Sequence, residues 1–262
     1  MSPSSSHLVI IPSFNTGPKV LEVVRDACAV WNPVWVVVDG SNDGTPGKLQ
    51  ALEEELPGLR VFVLPKNRGK GAAVFEGITH AQEAGFSHVL TLDADGQHPV
   101  FMIPRYMNLS QHRPGSLVLG NPIFGDDAPV ARVLGRKLSN FWAHVETLWA
   151  GIGDSLFGMR VYPINDLIAV MQDHRWARRF DFDPEVAIRL CWRGVTPVNI
   201  DTPVRYLTPQ EGGVSHFNYL RDNTLLTWMH WRLLIQSPLH WPILWQHHRG
   251  RKASPPGSPQ NV

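Results

Sequence analysis

The stretch VWVVV, Val34–Val38, leaves little choice of setting. Five consecutive apolar residues, four of them valine, favour an extended strand. Side chains of a strand alternate between two faces, so both faces of this one are apolar and both need cover. Such strands belong to parallel sheets with helices on each side. The flanking sequence supplies the other parts. Leu8–Ile11, Arg60–Leu64 and His88–Leu92 read as strands, and Lys19–Val30, Lys48–Glu55 and Gly71–Ala84 as helices between them. Alternation through short loops predicts an α/β fold with a mostly parallel sheet.

After Pro99 the pattern loosens. Leu117–Leu119, Phe157–Tyr162 and Val195–Ile200 read as strands, and Arg132–Ala150 and Pro184–Arg193 as helices. TPQEGGVSHF is a Gly-rich loop before a last helix. Residues 1–6 and 249–262 are rich in Ser, Pro and basic residues and read as disordered ends. The expected division is one domain over 7–236, with a nucleotide-binding half over about 7–120 and an acceptor half over about 121–236. A Trp/Pro-rich segment and tail fill 237–262.

At 262 residues and 43% hydrophobic content the chain can bury a sizeable core. A net charge of +1 gives no reason to expect nucleic acid as a partner. Cys28 and Cys191 show neither metal spacing nor a disulfide framework, which fits a reducing cytoplasm. The start, MSPSSSHLVIIPS, lacks the basic region of a signal peptide. TWMHWRLLIQSPLHWPILWQHH, Thr227–His248, is interrupted by Arg232, Gln236 and two prolines, so it does not read as a membrane span. It reads as a helix packed on the core, or as one lying in a membrane interface, where Trp is at home.

Ligands of parallel sheets bind beyond the carboxyl ends of the strands. That rim gathers four loops: Pro12–Gly17, Asp39–Pro46, Pro65–Lys70 and Asp93–Pro99. In LTLDADGQHP, Asp93 and Asp95 stand one residue apart at a strand end. Two such carboxylates can face one divalent cation, with Gln97 or His98 adding a contact and substrate phosphates completing the shell. The alternative is a helix N-cap before Pro99. Asp39 can accept hydrogen bonds from a base or ribose, or sit in an ordinary loop. Lys66, Arg68 and Lys70 precede a helix and make an anion site or a solvated basic turn. Their spacing is neither that of a P-loop nor that of a dinucleotide fingerprint. Together on one rim, the three fit a nucleoside diphosphate bridged by a metal.

Six segments resemble glycosyltransferase family 2: VIIPSFN, VVVDGSNDGT, NRGKGAAVFEG, LDADGQHP, DSLFGMRVYP and FDFDPEVAIRLCWRG. They occur in the family's order over about residues 8–206. The likeness is greatest to the branch of dolichyl-phosphate and polyprenyl-phosphate sugar synthases, whose D-x-D segment also runs into Gln-His. The resemblance implies a GT-A (Rossmann-like) α/β fold: a mostly parallel sheet covered by helices on both faces, with a C-terminal helical segment. It implies an inverting, metal-dependent hexosyltransferase using a UDP- or GDP-sugar and Mg²⁺ or Mn²⁺. The implied acceptor is a lipid or polyprenyl phosphate at the cytoplasmic membrane surface, with peripheral membrane contact. Pro12, Phe14, Asn15, Asp39, Ser41, Lys70, Asp93 and Asp95 would hold the nucleotide-sugar, and Asp95, Asp93 and Gln97 the metal.

The family's acidic pair falls on Phe182 and Asp183, so Asp183 carries over as the candidate general base while Phe replaces the first acid. An N-cap before Pro184 is the structural alternative for Asp183. Arg132, Arg136, Glu185, Arg205 and His216 are candidates for the acceptor or a closing loop. QDHRW, Gln172–Trp176, matches a string of processive members but precedes Asp183 and is read as chance. Two other readings stay open: a soluble transferase acting on a hydroxyl, and a non-catalytic scaffold that binds nucleotide-sugars.

Overall fold

The computed structural model describes residues 2–125, 130–204 and 219–246. The apolar run becomes β2 (Val34–Asp39), with β1 (His7–Ser13) and β3 (Leu59–Leu64) parallel on its two sides. Its alternation divides the core. Val34, Val36 and Val38 join Val9 and Ile11 of β1 beneath α1 (Lys19–Val30) and α2 (Thr45–Glu55). Trp35 and Val37 join Leu8 and Ile10 beneath α3 (Lys70–Glu83) on the opposite face. Burying each such side chain contributes about 1.5–3 kcal/mol before entropy is counted. Helix α3 lies so close that a Cβ at Gly77 would stand 2.9 Å from Ile10 Cδ1 and 3.0 Å from Val37 Cγ2.

Strand β4 (His88–Thr91) pairs in parallel with the free side of β1. Beyond it come β6 (Arg160–Pro163), antiparallel to both neighbours, then β5 (Ser116–Ile123) and β7 (Thr196–Pro203). The order is β3-β2-β1-β4-β6-β5-β7. Chain progression reverses at β1, so the crevice between the ends of β1 and β4 is the place where such sheets bind ligands.

The second half departs from the expected boundaries. Two helices, α4 (Ile103–His112) and α6 (Ile164–Asp173), are additional. Helix α5 (Val130–Glu146) stops short of Ala150, because Leu148 and Trp149 turn left-handed at φ 47° and 57°. The strand expected at Phe157–Tyr162 begins only at Arg160. Residues 4–6, placed in a disordered end, are tied down: Ser4 N–H donates to Asn32 O, and Ser6 O accepts from Ser87 and His88 N–H.

Helix α7 (Phe182–Trp192) is buried along its whole length, and α8 (Tyr219–Gln236) packs across α5. Helix α8 turns charged as well as apolar side chains inward, Met229 and Leu233 among the latter. Asp222, His230 and Arg232 are buried, whereas Leu220, Trp228, Trp231 and Ile235 are exposed, Leu220 by 82%. Buried partners explain the inward charges. His230 Nδ1 lies 3.0 Å from Glu146 Oε1 of α5, and Arg232 pairs with Glu185 of α7. On α5, Leu134, Leu138 and Phe141 also face outward. A 3₁₀ turn, Ser237–His240, and a helical stretch over 241–246 follow α8, with Leu239, Trp241 and Trp245 exposed.

Candidate active site

Every loop on the predicted rim is held by side chains of its neighbours. Asn15, at φ 46°, donates its backbone N–H to Ser41 Oγ (2.9 Å) and exchanges two side-chain bonds with Asn42. Gly17 N–H donates to Asp43 Oδ2 (2.9 Å). These contacts zip the loop after β1, which carries Phe14, to the loop after β2. Pro12 lies half-buried on β1, in register with Val37. Asp39 differs from expectation. At 2% exposure, its carboxylate accepts N–H bonds from Arg68 (2.9 Å) and Gly69 (2.6 Å), so it shapes the basic loop and turns no open face to a nucleoside.

That loop delivers Lys70, the first residue of α3. Its ammonium stands 2.7 Å from Asp93 Oδ1 and 2.6 Å from Asp183 Oδ2. Gly158 makes room for the cluster, since a Cβ there would strike Asp93 Oδ2 and Lys70 Nζ. Burial disfavours the ammonium, but Asp183 and then Asp93 raise its pKa well above the ordinary lysine range. Burial likewise opposes ionisation of Asp93, and Lys70 overcomes it, so the Asp93 pKa is lowered. Asp93 N–H donates to His98 Nδ1 (3.2 Å), which fixes that buried ring.

Asp95 behaves differently. Burial, and next the charge of Asp93, push its pKa up. Its Oδ1 accepts Gln97 N–H (3.0 Å). The pair is therefore an Asx turn at a strand end and no helix cap, because the next helical turn starts only at Val100. Hard carboxylate oxygens suit Mg²⁺ or Mn²⁺, and a cation beside Asp95 would relieve the repulsion that raises its pKa. Among the described residues no group of three or more His, Cys, Asp or Glu could hold a metal. Asp95 and Asp93 offer part of a hard-oxygen shell, which an ion arriving with substrate phosphates would complete. Gln97 contributes its backbone N–H to Asp95.

Asp183 is not the N-cap of α7, a position held by Asp181, whose carboxylate accepts Ala177 and Arg179 N–H. Asp183 lies inside the first turn and points to Lys70. Its Oδ1 is buried and has no hydrogen-bond partner among the described residues. Arg160, fully buried, donates Nε to Phe157 O (2.6 Å) and Nη1 to Asp183 O. The role of Arg160 was missed, although Gly158-x-Arg160 lies inside the DSLFGMRVYP segment.

Two acceptor candidates prove structural. Arg136 Nη1 meets Asp154 Oδ1 at 2.6 Å, and Asp154, 2% exposed, also accepts from Asn140 and from Leu156 and Phe157 N–H. Glu185, fully buried, accepts from Arg189 (2.8 Å) and bidentately from Arg232 (2.8 and 2.7 Å). Burial closes Glu185 to an acceptor, whereas the Arg136 side chain keeps 19% exposure. Arg132 lies on α5, and Arg205 and His216 fall outside the described residues.

The rim thus brings together paired strand-end carboxylates, a basic loop and a facing acid. Residues 8–182 match Glycosyl transferase family 2, and the chain belongs to that family. Relatives lie in its polyprenyl-phosphate branch. The chain is 27% identical over 220 residues to an undecaprenyl-phosphate mannosyltransferase of Micrococcus luteus, covering 78% of this chain and 85% of that protein. It is 28% identical over 228 residues to a polyprenol monophosphomannose synthase of Mycolicibacterium smegmatis, covering 81% of each. A dolichyl-phosphate beta-glucosyltransferase of Trichomonas vaginalis is 27% identical over 199 residues, and there the match spans 59% of the relative's length. Among solved structures, glucosyl-3-phosphoglycerate synthase of Mycobacterium tuberculosis, in complex with Mn²⁺, UDP and glucosyl-3-phosphoglycerate, superposes with a TM-score of 0.61. That match covers 90% of this chain and 79% of that one at 19% identity, and it shows the fold.

Proposed function

We propose that this family 2 glycosyltransferase moves a hexose, with inversion, from a UDP- or GDP-sugar to the phosphate of a polyprenyl-type lipid at the cytoplasmic face of a membrane. One observation carries the reading: a single ammonium, Lys70, joins Asp93 of the strand-end pair to Asp183 of the facing helix. The donor end and the acceptor end of the site meet there. Asp95 and Asp93 would hold a divalent cation, which would supply positive charge for the departing diphosphate. An oxygen of the acceptor phosphate attacks the anomeric carbon, the bond to the diphosphate oxygen breaks, and the nucleoside diphosphate leaves. No proton needs to move, because the attacking phosphate is already ionised. By pairing with Asp183, Lys70 lowers the repulsion that this carboxylate would exert on such an anion.

The lipid part of the proposal draws support from the outward tryptophans of α8 and its extension, and from the apolar stripe of α5. Trp in particular suits the boundary between headgroups and acyl chains. No helix of the described residues is long and apolar enough to cross a membrane, so contact from one side is the form proposed. The named relatives act on undecaprenyl, polyprenol or dolichyl phosphates.

A second reading has its own observation. The buried, unpartnered Asp183 Oδ1 could take a proton from an acceptor hydroxyl, with Asp183 as general base. Thermal shift with UDP, GDP, CDP and TDP, each with and without Mn²⁺, tests the donor half of both readings. One nucleotide that stabilises only with metal supports it, at ~2.7 kcal/mol for a ligand at ~100 times its Kd. No shift with any of them overturns the donor half of both.

A further inference from the structure

The Lys70–Asp183 pair joins two elements, the first turn of α3 and the first turn of α7. Both rest on one side chain of α8, Arg232. Toward α7, its guanidinium grips both oxygens of Glu185, two residues beyond Asp183. Toward α3, it stacks at 4.4 Å on the ring of Trp176. Trp176 begins the segment that seats α3. Arg178 O accepts Ala72 N–H (3.2 Å), and a Cβ on Gly69 or Gly71 would strike Arg178 O or Ala177 O. Arg232 is itself 9% exposed, and Glu185 is fully buried, so neither can relax into water.

We propose that Arg232 is a positioning residue that sets the Lys70–Asp183 geometry, acting through Glu185 on one side and Trp176 on the other. The inference goes beyond the proposed function and rests on it only in taking Asp183 as part of the site. The planar fork makes both contacts at once; a lysine would keep the charge beside Glu185 but lose the second hydrogen bond and the stacking plane. Arg232 touches no reacting group. Its effect is on where two other charges meet.

The test uses the full chain. A double-mutant cycle of Lys70→Met and Asp183→Asn, read by chemical denaturation, measures the coupling of that pair. The cycle is then repeated with Arg232→Met and with Arg232→Lys. Coupling that falls by more than half with Met and partly returns with Lys supports the inference; equal coupling in all three backgrounds overturns it. Because Arg232→Met can fail to fold, Trp176→Leu provides a second arm that keeps the Glu185 pair. There the exchange of the Ala72 amide is expected to rise about tenfold while the first turn of α7 stays protected. Unchanged exchange overturns the Trp176 limb. If Asp183→Asn leaves transfer intact while Arg232→Met still uncouples the pair, the positioning role stands and the catalytic reading of Asp183 fails.

Discussion

Lys70 and Asp183, 113 residues apart in sequence, form a 2.6 Å ion pair across the mouth of the sheet. The lysine is a helix's first residue and the aspartate lies in another helix's first turn. With Asp93 also on the ammonium, one positive charge serves two carboxylates. Removing it leaves both uncompensated.

Lys70→Met should therefore cost about 3 kcal/mol of stability, toward the low end for a broken buried pair because Asp93 is partly exposed. Urea unfolding measures this. An unchanged midpoint would show that the carboxylates are neutralised by other means.

Asp95→Asn should leave the free protein as stable as before or more so, since burial and Asp93 already disfavour the ionised acid. The same variant should lose metal-dependent nucleotide binding. Paired melting curves, without ligand and with nucleotide plus Mn²⁺, separate the two effects. Retention of the metal-dependent shift would move the ion elsewhere.

Arg136→Met should destabilise by about 3 kcal/mol, because it strips the cation from buried Asp154. The deficit should appear in unfolding curves with no acceptor present. A protein of normal stability with a raised acceptor KM would return Arg136 to the acceptor site.

Acid should loosen the end of the sheet opposite the site. His7, 3% exposed, stacks on His88 at 4.4 Å, and burial, then the neighbouring His88, hold its pKa down to about 4. Its folded pKa lies below the ordinary value of 6.5, so the fold favours the neutral ring. That stability is complete above pH 6.5 and is lost as pH falls toward 4, about 3 kcal/mol in all. His7→Phe, which keeps a ring in the stack, should flatten the pH dependence of unfolding in that window. An identical slope in the variant would assign the acid sensitivity to other groups.

Trp228→Ser with Trp231→Ser should weaken sedimentation with anionic lipid vesicles and barely change the melting temperature, as these side chains are 46% and 56% exposed. Equal vesicle binding would remove the α8 face from the membrane contact.

The first half was readable because each strand and helix there obeys one period. Val34–Val38 announces a doubly covered strand, and Lys19–Val30 has the bounds of α1 as it stands. The second half hides its elements behind buried charge. Arg160 opens β6, and Asp222, His230 and Arg232 face inward on α8, so polarity no longer marks the outside. Pro104 suits the first turn of α4, but Met102 at the cap gives no polar start signal before it. The strand-end aspartates were legible because their spacing is local. The Lys70 bridge was not, because only the folded sheet brings the three residues together. Arg136 and Glu185 read as acceptor ligands in the sequence for a related reason: a charged residue in sequence does not show whether its partner is solvent, substrate or a buried opposite charge.

The most direct measurement is transfer itself. Purified protein with Mn²⁺ and the radiolabelled UDP- or GDP-sugar picked out by thermal shift is incubated with polyprenyl phosphate in vesicles. Label is then followed into the organic phase. Glycosyl phosphates are split by mild acid, whereas ordinary glycosides resist it. Label that enters the lipid and is released by mild acid is the predicted result. Lipid that stays unlabelled, with label appearing in an acid-stable glycoside of a hydroxyl acceptor, would contradict it and make Asp183 a general base.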